Sequence, residues 1–197
     1  ACIAAAGITD LLVEVDGPEL PFGDGSAMLW EMALPGTRPF GEPIEPVVVS
    51  EPVFLHDIDR GQFLVALPAD AATWRMTYIL DWAHPLVGTQ VARFTWAQDS
   101  FRDELAAART FALEEDAKRA KSEGLFPGGT EDSLVLVRPG EVSPDPGRPD
   151  AFARHKLMDL MGDLYLMGRP VRGIFAGYNS GHRLNHQLVA RLSAQNA

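Results

Sequence analysis

The segment Phe152–Leu164, F-A-R-H-K-L-M-D-L-M-G-D-L, spaces an imidazole and two carboxylates four residues apart, at His155, Asp159 and Asp163. Residues four apart share one helix face, so a helix here raises them as a single polar stripe. Leu157, Met158, Leu160, Met161 and Leu164 occupy the other faces, which predicts a largely buried helix. Buried carboxylates and imidazoles are costly unless they are paired or hold a metal. An imidazole and a carboxylate at i, i+4 can ligate one Zn2+ with little strain, with a third protein ligand from elsewhere and an open position for water. The alternative is a structural His–Asp pair.

A second group lies in Tyr178–Leu184, Y-N-S-G-H-R-L. His182 follows Gly181 where a strand gives way to a helix, and strand-end turns commonly carry catalytic groups. The helix N-terminus disfavours an imidazolium, whereas a nearby carboxylate such as Asp163 favours it. Otherwise His182 is an ordinary loop histidine. His186, one turn along, fits a surface role equally well. In Ala108–Phe111, A-R-T-F, Thr110 offers a hydroxyl to an oxyanion or simply to a helix end. Gly124–Asp132, G-L-F-P-G-G-T-E-D, allows close backbone approach to a ligand, or is a plain turn. No G-K-[ST] follows it, so it is not a phosphate loop.

The elements that must position these residues follow from periodicity and punctuation. Ala1–Ala6 reads as the end of a helix stopped by Gly7. Leu11–Asp16 alternates like a strand, and Ala27–Leu34 is a short helix. Pro35–Pro46 holds four prolines and two glycines and marks a domain boundary. Val47–Leu55, Gln62–Leu67, Trp74–Asp81 and Val91–Trp96 read as strands. Ser100 with Asp103 resembles a capping box opening a helix through Ala108. Glu114–Glu123 is a charged helix, Ser133–Arg138 a strand and Pro139–Pro149 a loop. Ala151–Met167 is a helix stopped by Gly168, Val171–Tyr178 a strand and His182–Ala194 a final helix. This order is α+β, without the regular alternation of a βαβ array.

Composition narrows the function classes. The formal charge of −10 argues against a general nucleic-acid binder. Residues 151–197 nevertheless carry six Lys/Arg against two acids, and three of the five histidines. That local excess suits an anionic small ligand, or two helices with solvated basic faces. No apolar run approaches the roughly 20 residues of a transmembrane helix. One cysteine, Cys2, precludes an internal disulfide and fits a reducing compartment. The expectation is a cytoplasmic protein, a monomer, without a transmembrane segment.

In order along the chain, these segments resemble the UDP-3-O-acyl-N-acetylglucosamine deacetylases. The resemblance runs through Gly7–Ala27 (G-I-T-D-L-L-V-E-V-D-G-P-E-L-P-F-G-D-G-S-A), Asp81–Pro85, Ala108–Phe111, Gly124–Asp132, Arg154–Leu164 and Ser180–Asn185 (S-G-H-R-L-N). It implies zinc-dependent hydrolysis of the acetamide of a UDP-linked acyl-glucosamine, the committed step of lipid A synthesis. It implies His155 and Asp159 as ligands of one catalytic Zn2+, His182 as the catalytic histidine and Asp163 as its support. It implies Thr110 at the tetrahedral intermediate, Lys156 at the substrate's anionic portion, Phe111 by the sugar, and Gly129 in a loop shaping the acyl passage. The family's third ligand and its general-base glutamate form a Glu-His pair expected just upstream of Ala1, so the chain reads as N-terminally truncated. The implied fold is a two-domain α+β sandwich, each domain a small sheet packed with helices. Residues 1–35 would be the end of domain one and 36–197 domain two. A homologue that holds a nucleotide-sugar or acyl ligand without turning it over is the alternative.

Overall fold

Alternation of apolar and polar residues along five strands builds the main sheet of the computed structural model, which describes residues 1–17, 20–34, 44–125 and 133–196. Strands β2 (Val53–Asp57), β3 (Gln62–Leu67), β4 (Trp74–Trp82), β5 (Gly88–Thr95) and β9 (Val171–Tyr178) lie in the order β2-β3-β9-β4-β5. The two-residue β1 (Val47–Val48) joins β9 in parallel at its start. The centre of the sheet is β9, antiparallel to β3 and parallel to β4. Along β4, Trp74, Met76, Tyr78 and Leu80 turn inward and are buried, as the period of two requires.

Two helices cover that inner face. In α4 (Ala151–Leu164), Leu157, Leu160, Met161 and Leu164 are fully buried. In α5 (His182–Gln195), Leu184, Leu188 and Leu192 recur every fourth residue and bury the same way. Each such side chain contributes about 1.5–3 kcal/mol of burial. The helix α4 ends in a 3-10 turn, Tyr165–Met167, and stops at Gly168 in the left-handed conformation (φ 68°).

A second sheet combines β6 (Phe111–Leu113), β7 (Val135–Arg138) and β8 (Glu141–Ser143), with α3 (Glu114–Ser122) between β6 and β7. Residues 1–34 supply α1 (Cys2–Ala5) and α2 (Met28–Ala33). Cys2, Ala27, Ala106 and Met158 form a small second core where these early residues meet α4.

The α+β class holds, and β3 and β9 have the expected bounds. Four expectations fail. Leu11–Asp16 is not a strand: it pairs with nothing in the described sheets, and Leu12 is 85% exposed. The expected helix after Ser100 is a π-helical turn, Arg102–Ala106, although Ser100 Oγ does accept the Asp103 N–H (3.3 Å). Val47–Leu55 is broken at residues 49–52 into β1 and β2, and Pro52 within the break has no ladder donor. The loop expected over Pro139–Pro149 contains the edge strand β8. The boundary expected near residues 35 and 36 lies outside the described residues.

Candidate active site

The polar stripe of α4 opens onto a cleft of about 720 Å3 whose walls come from β4, β6, α4 and the turn before α5. Asp159 stands at its floor between two partners. Lys156 Nζ donates to Asp159 Oδ2 (2.7 Å), and His155 Nε2 lies 3.5 Å from Asp159 Oδ1. The other ring nitrogen of His155, Nδ1, lies 3.3 Å from the Ala108 carbonyl oxygen. A carbonyl only accepts, so Nδ1 carries the proton and Nε2 keeps its lone pair. Burial pushes the His155 pKa below the ordinary imidazole value, against the pull of Asp159. For Asp159, burial pushes upward, but His155 and Lys156 beside it outweigh this and hold the carboxyl below its usual range.

This donor set fits a zinc ion. A neutral imidazole with its second nitrogen tied to a carbonyl is the usual arrangement of a metal-binding histidine, and an ionised carboxylate stands one turn away. The two residues supply two ligands. Among the described residues they are not joined by a third ligand. Among the described residues, the one three-residue group that could hold an ion is Asp163, His182 and His186, with ligand atoms within 4.8 Å of one another.

His182 reaches the cleft from a tightly fixed turn. Asn179 between β9 and α5 has a left-handed backbone (φ 48°). Its side-chain oxygen accepts the Asp81 N–H (2.8 Å), and its amide donates to the Asp81 carbonyl (2.9 Å). The buried Tyr78 hydroxyl donates to the Ser180 carbonyl oxygen. These ties aim His182, the first residue of α5, back at α4, where its Nδ1 lies 2.8 Å from Asp163 Oδ2. The hydrogen bond to Asp163 raises the His182 pKa, burial opposes it, and Asp159 adds to the rise. The carboxylate therefore outweighs the cost of burying the charge.

Thr110 and Phe111 form the facing wall. The Thr110 N–H donates to the Gly25 carbonyl (2.9 Å), and its own carbonyl accepts from Val135 N–H (2.8 Å). Gly25 has φ 80°, and a Cβ there would lie 1.9 Å from the Ser133 carbonyl oxygen. Only glycine permits this approach. The Phe111 ring packs on Phe152 (centroids 4.5 Å), Trp82 (5.6 Å) and His155 (6.0 Å).

A family model for the UDP-3-O-acyl N-acetylglycosamine deacetylases matches residues 1–194. The chain belongs to this family. Similar proteins named UDP-3-O-acyl-N-acetylglucosamine deacetylase include one from Anaeromyxobacter sp. (strain Fw109-5), 39% identical over 98% of this chain and 64% of that protein. Others come from Myxococcus xanthus (strain DK1622), 36% identical over 98% and 61%, and Synechocystis sp. (strain ATCC 27184 / PCC 6803 / Kazusa), 36% over 98% and 70%. The chain thus spans about two thirds of the length of these relatives.

Of the expected site residues, the structure brings His155, Lys156, Asp159, Thr110, Phe111 and His182 to one cleft, with Asp163 directly behind His182. Gly129 lies outside the described residues. The expected basic character of residues 151–197 does not converge there. Arg154 pairs with Glu104 and Asp150, Arg183 pairs with Asp57, and Arg172 lies over Trp96. Among those six cations Lys156 alone lines the cleft. Trp82, Tyr78 and Asn179 also shape the site and were missed from the sequence. Trp82 had a signal, the D-W-A-H-P segment, but nothing in its spacing says which face of β4 it takes. No helix among the described residues is long and apolar enough to cross a membrane.

Proposed function

We propose that the full-length protein hydrolyses the acetamide of a UDP-linked 3-O-acyl-N-acetylglucosamine, releasing acetate and the free amine. The observation that carries this reading is the meeting of the His155–Asp159 pair with His182 in one cleft, with Asp163 hydrogen-bonded behind His182, in a chain from this family. His155 and Asp159 would hold the zinc ion, with a further ligand from outside the described residues. Such an ion supplies Lewis acidity toward a carbonyl oxygen and acidifies water.

The chain's own residues account for part of the remaining chemistry; the base that takes a proton from the attacking water, as the water oxygen bonds to the acetamide carbon, would come with the further ligand from outside the described residues. Asp163 accepts from His182 Nδ1–H, so His182 Nε2 is the ring nitrogen left for substrate. In the imidazolium form it donates to the developing oxyanion, then gives its proton to the departing nitrogen as the C–N bond breaks. The Thr110 hydroxyl, without a hydrogen-bond partner among the described residues, is a second donor toward that oxyanion. Phe111 and Trp82 offer an apolar wall to the sugar. Lys156 has two further N–H donors beyond the one given to Asp159, and these serve an anionic part of the substrate.

Acetate release from the UDP-linked substrate by the zinc-loaded full-length protein tests the reading. No release under metal-replete conditions, with the substrate bound, would leave a ligand-holding homologue instead.

A further inference from the structure

His182, Asn185 and His186 occupy positions i, i+3 and i+4 of α5, and all three turn toward one carboxylate. His182 Nδ1 and Asn185 Nδ2 each lie 2.8 Å from Asp163 Oδ2. His186 Nε2 lies 3.4 Å from Oδ1. We propose that Asn185 is a positioning residue for the deacetylation: it holds Asp163 as a pure acceptor aimed at His182, while His186 steadies the second oxygen.

The Asn185 NH2 group only donates, so Asp163 Oδ2 must present lone pairs to it. The proton shared between Asp163 and His182 therefore belongs to His182 Nδ1, which fixes the tautomer that presents Nε2 to the cleft. Asn185 is 1% exposed and Asp163 8%, so water does not substitute for this donor. The amide also keeps an orphan: Asn185 Oδ1 is buried without a hydrogen-bond partner among the described residues. A half-satisfied buried amide beside Leu184 and Leu188 is a poor way to fill a core. Its orientation is explained by the carboxylate it serves. The charged groups around His182 are Asp163, Asp159 and Lys156 on α4, and the His186 ring lies beside it on its own helix.

This inference rests on His182 being the catalytic histidine, and the test separates the two. In the full-length zinc-loaded protein, Asn185→Asp keeps the shape and exchanges the donor for an acceptor. The expected result is a kcat loss on the order of 10-fold to 100-fold, with KM and zinc content within about twofold. Introduced into His182→Ala, the same change should cost nothing further, because its effect passes through His182. Asn185→Ala, should the first variant not fold, is expected to behave in the same way. An undiminished loss in the His182→Ala background, or an unchanged kcat in His182-containing protein, overturns the positioning role. Full activity of His182→Ala alone sinks the underlying assignment instead.

Discussion

His182 is placed between two opposing influences of unequal size. As the first residue of α5 it faces the positive end of a helix, worth about 0.3–1 kcal/mol against an imidazolium. The charge-assisted hydrogen bond to Asp163 is worth about 1.5–3 kcal/mol, and solvent screening trims both because the ring is more than half exposed. The carboxylate wins, so the folded pKa lies above the unfolded value of about 6.5. The stabilisation this pair gives is complete below the unfolded pKa and is lost as pH rises through the folded one. Activity that needs the imidazolium should follow the same limb: kcat/KM declines on the alkaline side, and in Asp163→Asn the decline begins at lower pH. Superimposable alkaline limbs in the two proteins would remove Asp163 from this role. The metal ligands are separable by a different measurement. His155→Ala and Asp159→Ala should each lower zinc retention at least about 10-fold, whereas His182→Ala should retain zinc and lose turnover. Zinc content after dialysis against a weak chelator decides this. At this scale the sequence was legible where spacing alone defines proximity, as in the i, i+4 stripe of α4. It was silent on Asn185, whose role depends on α5 crossing α4.

Elements were legible where one strong period ran unopposed. The bounds of β9 followed from alternation, and the starts of α4 and α5 lie where expected, although α4 gives way to a 3-10 turn at Tyr165, short of the expected Met167, and α5 runs one residue past the expected Ala194. Leu11–Asp16 shows the limit of that reasoning. Its alternation matches a strand, but a strand exists only where a neighbour accepts its backbone bonds, and the described sheets offer none. Likewise β6 is three residues long, and it pairs with β7 more than twenty residues downstream, which no local pattern reveals. Two substitutions separate stability from site geometry. Leu160→Ala removes a fully buried side chain from the site helix and should lower unfolding free energy by about 2–5 kcal/mol, read from the urea midpoint. Gly25→Ala acts differently. Its Cβ would collide with the Ser133 carbonyl and press on Thr110 Cγ2, 2.9 Å away, in a backbone conformation costing about 1–2 kcal/mol for L residues. It should reduce kcat far more than Leu160→Ala does at a temperature where both proteins are folded. Equal activities would show that Gly25 does not fix Thr110.

Over the whole molecule, charge is arranged differently from what its distribution along the chain suggests. The basic excess of residues 151–197 is spent on structure: Arg154 ties α4 to the π-helical turn and Arg183 ties α5 to β2, each through a carboxylate. Arg169 caps the Glu45 carbonyl, and Arg172 covers Trp96. Sequence position says how many cations a segment holds but not where each side chain ends, and here the fold scatters them around the sheet. A cleft served by Lys156 alone among these cations, in a chain of net charge −10, has little long-range field to draw in the dianionic nucleotide of the proposed substrate. Recognition of the anionic part must then be short-range. Lys156→Met should raise KM for the UDP-linked substrate several-fold, and the remaining salt dependence of KM should nearly vanish, because the screened pair is gone. Arg172→Met, which removes an equal charge from outside the cleft, should leave both KM and its salt dependence unchanged. KM measured across a salt series for the three proteins checks this. A steep salt dependence that survives in Lys156→Met would place the anion-binding cations elsewhere in the full-length protein.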